Sequence, residues 1–187
     1  MVSGSAEQQI LCAGWTGWAM TSWSVAPEPV GSAAAGALWR AYYTEVSDRW
    51  YELHEGRRTD PAELERGIAS ETGAGLAAPT GVLLLARYDG EPAGTAGVRL
   101  LDPATAELTR VFVTPGLRGK GGGPVLLAAA EDAAHGLGAT RILLDTRNDL
   151  VEARALYARH GYVEGAPHNA DVYAEHWFRK DLRPRTA

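Results

Sequence analysis

One stretch limits the choice of fold more than any other: Val111-Phe-Val-Thr-Pro-Gly-Leu-Arg118-Gly-Lys-Gly121-Gly-Gly123-Pro124. A run of β-branched and aromatic residues passes into a basic turn rich in glycine, and Pro124 then suits the first turn of a helix. Glycine lets a backbone approach a ligand closely, with its N–H groups unobstructed by side chains. The N-terminus of the helix adds unpaired N–H donors and a partial positive charge. Strand, turn and helix together form a cradle for a pyrophosphate. A chain organised around such a unit is an α/β protein.

Three kinds of protein use a cradle of this type. A nucleotide P-loop requires Gly-Lys-Ser/Thr, whose hydroxyl holds magnesium. Here Lys120 is followed by Gly121, so that hydroxyl is missing. A dinucleotide fingerprint needs a third glycine and an acid about 20 residues further on. Asp145, after Ile142-Leu-Leu, stands where such an acid should be, but Pro124 occupies the third glycine position of Gly119-x-Gly121-x-x. The unit also comes after several hairpin-like strands, where a dinucleotide fold would open with it.

The third kind is the coenzyme A loop of the GNAT N-acetyltransferases, Arg/Gln-x-x-Gly-x-Gly/Ala, and Arg118-Gly-Lys-Gly121-Gly-Gly123 matches it throughout. After the strand Arg141-Ile-Leu-Leu-Asp145 comes Thr146-Arg-Asn148, then a helix closing in Leu156-Tyr157-Ala-Arg-His-Gly161-Tyr162. This resembles the family's segment in which an Asn precedes a helix ending in Leu-Tyr-x-x-x-Gly-Phe/Tyr. The resemblance is detailed over residues 80 to 180 and holds in outline over 21 to 79. It implies a mixed, mostly antiparallel central sheet, splayed between strands 4 and 5, with helices on both faces.

The rest of the chain fits that frame. Apolar residues recur at helical spacing from Ala34 through Leu38, Ala41, Tyr42 and Val46 to Trp50, after a start between Pro27 and Gly31. Asp60-Pro61-Ala-Glu63 opens a second helix. Residues 70–80 read as a loop. Two strands flank Asp89-Gly90, a hairpin signal. Asp102-Pro103 turns into a fourth strand over 106–113, and 124–137 form the helix behind the cradle, closed by Gly138. Asp149 and Glu152 read as a capping pair for the last helix, and Gly161 as its stop. Residues 162–164 and 172–180 close the sheet.

Residues 20–187 read as one domain. Residues 1–19 differ in composition and are expected to be an extension without fixed structure, unless Trp15 and Trp18 dock on the domain. A net charge of −5 with scattered Lys and Arg argues against a nucleic-acid partner. One cysteine, Cys12, excludes an internal disulfide and fits a cytoplasmic location. No run of apolar residues reaches the ~20 needed to span a membrane, and the N-terminus lacks the basic start of a secretory signal. The five histidines show no metal spacing. The chain is expected to be a monomer or a homodimer.

The resemblance implies roles for individual residues. Acetyl-CoA is the cosubstrate, and no metal is required. Phe112 and Val113 present backbone to the pantetheine arm. Leu117, Arg118, Gly119, Lys120, Gly121, Gly122 and Gly123 hold the pyrophosphate, and Asn148 bonds a pantetheine amide or caps a helix. Tyr157 is the candidate acid that protonates the departing thiolate, or a tyrosine on the apolar face of its helix. Glu107 is the candidate base for an incoming ammonium, or the partner of Arg99 in a cross-strand ion pair. Tyr43 and His176 border the acceptor slot, with a structural role as the alternative for His176. The expected activity is N-acetylation of a small-molecule or amino-acid-like amine by direct attack in a ternary complex. Acetylation of a protein or peptide, and silent binding of an acyl-CoA by a regulator, are the alternatives.

Overall fold

The computed structural model describes residues 22–70 and 73–182. The expectations placed on residues 1–19, with Cys12, Trp15 and Trp18, lie outside the described residues. The described chain runs β1 (Trp23–Pro27), α1 (Ala33–Glu55), α2 (Pro61–Ser70), β2 (Gly81–Tyr88), β3 (Glu91–Asp102), β4 (Thr105–Val113), α3 (Gly122–Gly136), β5 (Arg141–Thr146), α4 (Val151–Arg159), β6 (Val163–Gly165) and β7 (His176–Asp181). This is the expected order of elements. Residues 70–80 also hold a single 3-10 turn, Ala74–Leu76.

Local chemistry sets the boundaries. Helix α1 begins later than Pro27–Gly31, because the Ser32 hydroxyl accepts a hydrogen bond from the Ala35 amide at 3.0 Å. It ends at Gly56, in the left-handed conformation. Asp60 Oδ1 accepts from the amides of Ala62 and Glu63 and starts α2. Asp89 and Gly90 both have positive φ, the geometry of a two-residue hairpin turn.

The expected capping pair on α4 is not formed. Leu150 takes the cap position without a side-chain bond. Asp149 instead accepts from Arg147 at 2.9 and 2.8 Å, and Arg49 reaches both Asp149 and Glu152. Charge-assisted bonds are about twice as strong as neutral ones, so the guanidinium groups take these carboxylates from the helix amides. Strand β7 starts at His176, four residues later than expected, because Val172 and Tyr173 form a turn.

The sheet has seven strands in the order β1-β2-β3-β4-β5-β7-β6. All neighbours are antiparallel except β4 and β5, which pair only through Thr105↔Arg141, Ala106↔Ile142 and Glu107↔Leu143. Beyond Glu107 and Leu143 these two strands part, leaving an edge of β4 open as far as Val113. On one face of the sheet Val98, Ile142 and Leu144 are fully buried with Leu126 and Leu127 of α3, and Tyr157 of α4 joins this core. Burial of such a side chain contributes roughly 1.5–3 kcal/mol. On the other face, α1 places Ala35 and Leu38 over Leu83, Leu85 and Phe112. Over β5 and β7 that same face is crossed by the β6–β7 loop, through Asn169. The fork therefore opens between two dissimilar coverings.

Candidate active site

The turn after β4 supplies a row of free backbone donors. The amides of Leu117, Arg118 and Lys120 are used within it, donating to the carbonyls of Thr114, Pro115 and Leu117 at 2.9, 3.2 and 3.3 Å. Those of Gly119, Gly121, Gly122 and Gly123 have no backbone acceptor among the described residues. Gly119 and Gly121 have φ of +78° and +88°, and a Cβ on either would meet nothing within 4 Å. They are glycine for the conformation and not for lack of room. Gly122 is glycine for the opposite reason: its Cβ would lie 2.6 Å from the Trp23 ring. Trp23 also donates its Nε1–H to the Lys120 carbonyl at 2.7 Å, so β1 braces the turn. Four free amides at the start of a 15-residue helix fit a diphosphate such as that of coenzyme A.

The two cations of the turn behave differently. Lys120 lies with its Nζ 5.4 Å from the centre of the Tyr88 ring. Arg118 donates to the Val113 carbonyl at 3.0 Å and to both oxygens of Glu45 on α1 at 2.8 and 2.6 Å. Phe112 and Val113 lie on the open stretch of β4. Just before them Arg110 has a φ of +55°, and the β3–β4 register shifts there. Such a bulge redirects the amides that follow it.

Where the strands part, three segments bring ionisable groups together. Glu107 is buried, only 8% exposed, and its Oε2 accepts from Arg99 Nε across the β3–β4 pair at 2.5 Å. The ion-pair alternative for Glu107 is thus present in the structure. Asp145, two residues beyond the last β4–β5 pair, shares the face of Glu107, because Ile142, Leu144 and Thr146 point into the opposite core. Asn169 donates to Asp145 Oδ1 at 2.6 Å and accepts from Trp177 Nε1 at 2.9 Å, which fixes the carboxylate. One polar atom each of Glu107, Asp145 and His168 lie within 4.8 Å of one another. Burial, aided by the charges of Asp171 and Glu107, raises the Asp145 pKa above its ordinary value, against the Asn169 hydrogen bond. A cleft lined by His168, Trp177, Leu143, Arg141 and Arg179 continues from this cluster along β5.

Tyr157 approaches the fork from the other face. It is 6% exposed, and its ring packs near Tyr162 and Phe178. Burial pushes its phenol far above the ordinary tyrosine value, and Tyr42 and Asp145 add to the rise. Both of those groups belong to the opposite face, so their influence on Tyr157 acts through the gap between β4 and β5. The expected packing of this side chain on the apolar face of its helix is present.

Three other expected residues are engaged elsewhere. Asn148 donates its backbone and side-chain N–H groups to Glu175, at 2.7 and 3.1 Å, and its Oδ1 lies 2.6 Å from His176 Nε2. The other nitrogen of His176 contacts Glu164. The two therefore form one network joining the β5–α4 loop, β6 and β7. Tyr43 packs between α1 and α2: a Cβ on Gly67 would lie 2.1 Å from its hydroxyl, and its ring is 5.3 Å from that of Trp39.

Sequence reasoning missed Asp145 as a member of this cluster, together with His168 and Asn169. One signal for Asp145 was available: Glu107 and Asp145 both fall on the odd alternation face of strands that the fold makes neighbours. The loop residues carried no periodic signal.

Comparison with known proteins follows this geometry. The sequence model of the Acetyltransferase (GNAT) family matches residues 35–162. No curated protein matches the chain. Among solved structures, an acetyltransferase of the GNAT family from Staphylococcus aureus MU50 is 15% identical, with a TM-score of 0.66 over 87% of this chain and 100% of that one. The PaiA N-acetyltransferase of Thermoplasma acidophilum, solved with coenzyme A, is also 15% identical, with a TM-score of 0.64 over 86% and 99% of the two chains. N-acetylglutamate synthase from Neisseria gonorrhoeae, complexed with coenzyme A and N-acetyl-glutamate, is 18% identical with a TM-score of 0.56, covering 88% of this chain and 36% of that one. At these identities the structures establish a shared fold.

Proposed function

The chain belongs to the GNAT family of acetyltransferases, and from that premise we propose that it transfers the acetyl group of acetyl-CoA to an amine of a small molecule, by direct attack in a ternary complex. The observation that carries the reading is the fork itself. It has free glycine amides at its mouth, a buried phenol on one face and two carboxylates on the other. The coenzyme A and acetyl-CoA complexes among structures of this fold support the choice of cosubstrate. The cleft beside His168 holds about 370 Å³, a volume in the range of small-molecule sites.

The donor supplies an activated thioester, and the residues of the chain position it and move protons. Gly119, Gly121, Gly122 and Gly123 bind the diphosphate, and Lys120 adds a point charge. The open edge of β4 at Phe112 and Val113 offers backbone to the pantetheine arm and an N–H to the acyl oxygen. An acceptor amine arrives as an ammonium and loses one proton to a carboxylate of the Glu107–Asp145 pair. Its nitrogen then bonds to the acyl carbon as the carbon–sulfur bond breaks. Tyr157 gives a proton to the sulfur and recovers one from the new amide nitrogen, so it ends unchanged. The network of Asn148, His176, Glu164 and Glu175 ties the β5–α4 loop to β6 and β7.

The test is thiol release from acetyl-CoA across a panel of small amines, amino acids and short peptides. Release with small amines is the expected result. Coenzyme A binding without release for any acceptor would overturn the enzymatic reading. Release with peptides alone would overturn the small-molecule assignment.

A further inference from the structure

Two carboxylates meet at the fork, and their surroundings give them different work. Glu107 is already neutralised: Arg99 holds it at 2.5 Å on the same sheet face, in register across β3 and β4. Taking up a proton there would break a charge-assisted bond. Asp145 has no cationic partner among its hydrogen bonds. Its one bond is from the neutral Asn169 amide to Oδ1, with Trp177 behind Asn169 to hold it still. Oδ2 of Asp145 has no such bond among the described residues. His168 stands beside both carboxylates and also lines the cleft, and its Nε2 is buried without a partner.

We infer that Asp145 is the catalytic base of the reaction proposed above: it takes the proton of the acceptor ammonium at its free oxygen, and His168 links that oxygen to the cleft. Glu107 then keeps its ion pair with Arg99 and takes no part in the proton transfer. The step balances simply. An N–H bond of the ammonium breaks, an O–H bond forms on Asp145, and the neutral amine keeps the lone pair that attacks the acyl carbon. After turnover the proton leaves to water through the cleft. The inference rests on the acyltransferase reading and goes beyond it in choosing the base.

The groups that face Asp145 dictate how it titrates. Glu107 comes from β4, His168 and Asp171 from the β6–β7 loop, and Tyr157 from α4 across the fork. Burial and the two acids favour its protonated form, so the active, ionised form appears at a higher pH than for an ordinary carboxylate. Removing the charge of Glu107 eases that pressure and moves the titration to lower pH.

The experiment is the pH dependence of kcat at saturating amine and acetyl-CoA for wild type, Asp145→Asn and Glu107→Gln, with coenzyme A affinity measured alongside. Wild type is expected to show an acid limb. In Asp145→Asn the limb should vanish and kcat fall by about 10²–10⁴-fold, while coenzyme A affinity stays within twofold of wild type, which also reports that the variant is folded. Glu107→Gln should keep the limb, displaced to lower pH. A limb that survives in Asp145→Asn and vanishes in Glu107→Gln overturns the inference and leaves the acyltransferase reading intact. Absence of thiol release by wild type with every amine overturns both.

Discussion

In the reaction proposed above, the donor end and the acceptor end of the fork are built from different materials. At the donor end the working groups are backbone amides, and the residues that matter are those with no side chain at all. Gly119, Gly121 and Gly123 follow one another along a single turn, and their function depends on local φ and on the start of one helix. At the acceptor end the working groups are side chains from three separate segments. Glu107, Asp145 and His168 come from β4, β5 and the β6–β7 loop, and they meet only because β4 and β5 pair for three residues and then part. A backbone site tolerates change in everything except conformation. A side-chain site tolerates change in everything except the few groups that carry charge or protons.

The sharpest way to break that contrast is at Tyr157, the side chain closest to being shared by both ends. Tyr157→Phe keeps the ring packed near Tyr162 and Phe178 and removes only the hydroxyl. If the phenol protonates the leaving sulfur, kcat should drop by about 10²–10⁴-fold with coenzyme A affinity unchanged. Steady-state thiol release and a calorimetric titration measure the two quantities separately. An unchanged kcat would make Tyr157 a packing residue alone.

The donor end is tested by adding a single methyl group. Gly121 has a φ of +88° and space around it, so Gly121→Ala creates no clash and strains only the backbone. An L-residue in this conformation costs about 1–2 kcal/mol, and a turn that relaxes to avoid the cost moves its amides off the diphosphate. Coenzyme A affinity should weaken by roughly 5–30-fold, while kcat at saturating acetyl-CoA changes little. If the affinity does not change, the cradle is not made of backbone.

The same contrast explains what could be read in advance. The cradle lies within fourteen consecutive residues and is governed by local rules, so its strand, turn and helix were legible, and the order of all elements followed from periodicity and punctuation. Asp145 was visible as an acid at a strand end. Its place beside Glu107 was not read, although the resemblance set strands 4 and 5 side by side: the alternation face that the two acids share went unused. His168 and Asn169 belong to a loop with no pattern. The α4 cap failed for a related reason: Asp149 and Glu152 stand where a capping pair should, but Arg49, a hundred residues earlier, claims them. Tyr43 looked like a slot residue because α1 is rich in aromatics, yet it fills the contact with Gly67 on α2.

Stability offers a second view of the acceptor end. The pKa of Asp145 is raised on folding, chiefly by burial, so the native state favours the protonated acid. Stability from this residue is complete below the ordinary carboxylate range and is lost as the pH rises through the raised value. Above the raised value the ionised side chain is therefore a net cost to stability. Asp145→Asn keeps an oxygen to accept from Asn169 and carries no charge. Its Tm should exceed that of wild type at pH 7, and the gain should shrink toward zero below about pH 4. Thermal melts at the two pH values check this, and a lower Tm at pH 7 would mean that the charge is stabilising where it stands.

The smallest effect is expected where the two ends touch. Arg118 belongs to the donor turn, but its guanidinium is bound to Glu45 on α1, with 38% and 23% of the two side chains exposed. A pair exposed to this degree is worth about 0.2–1 kcal/mol. When a diphosphate enters the cradle, Glu45 competes with it for Arg118 and also sets a negative charge near the incoming anion. Both effects oppose binding, so Glu45→Gln should tighten coenzyme A affinity by up to about fivefold, and added salt should erase the difference. Arg49 retains Asp149 and Glu152 in the variant, so α1 stays anchored to the loop before α4. Weaker binding in Glu45→Gln would reverse the assignment: the pair would then be a support that holds Arg118 in place, and the donor end would depend on a distant side chain just as the acceptor end does.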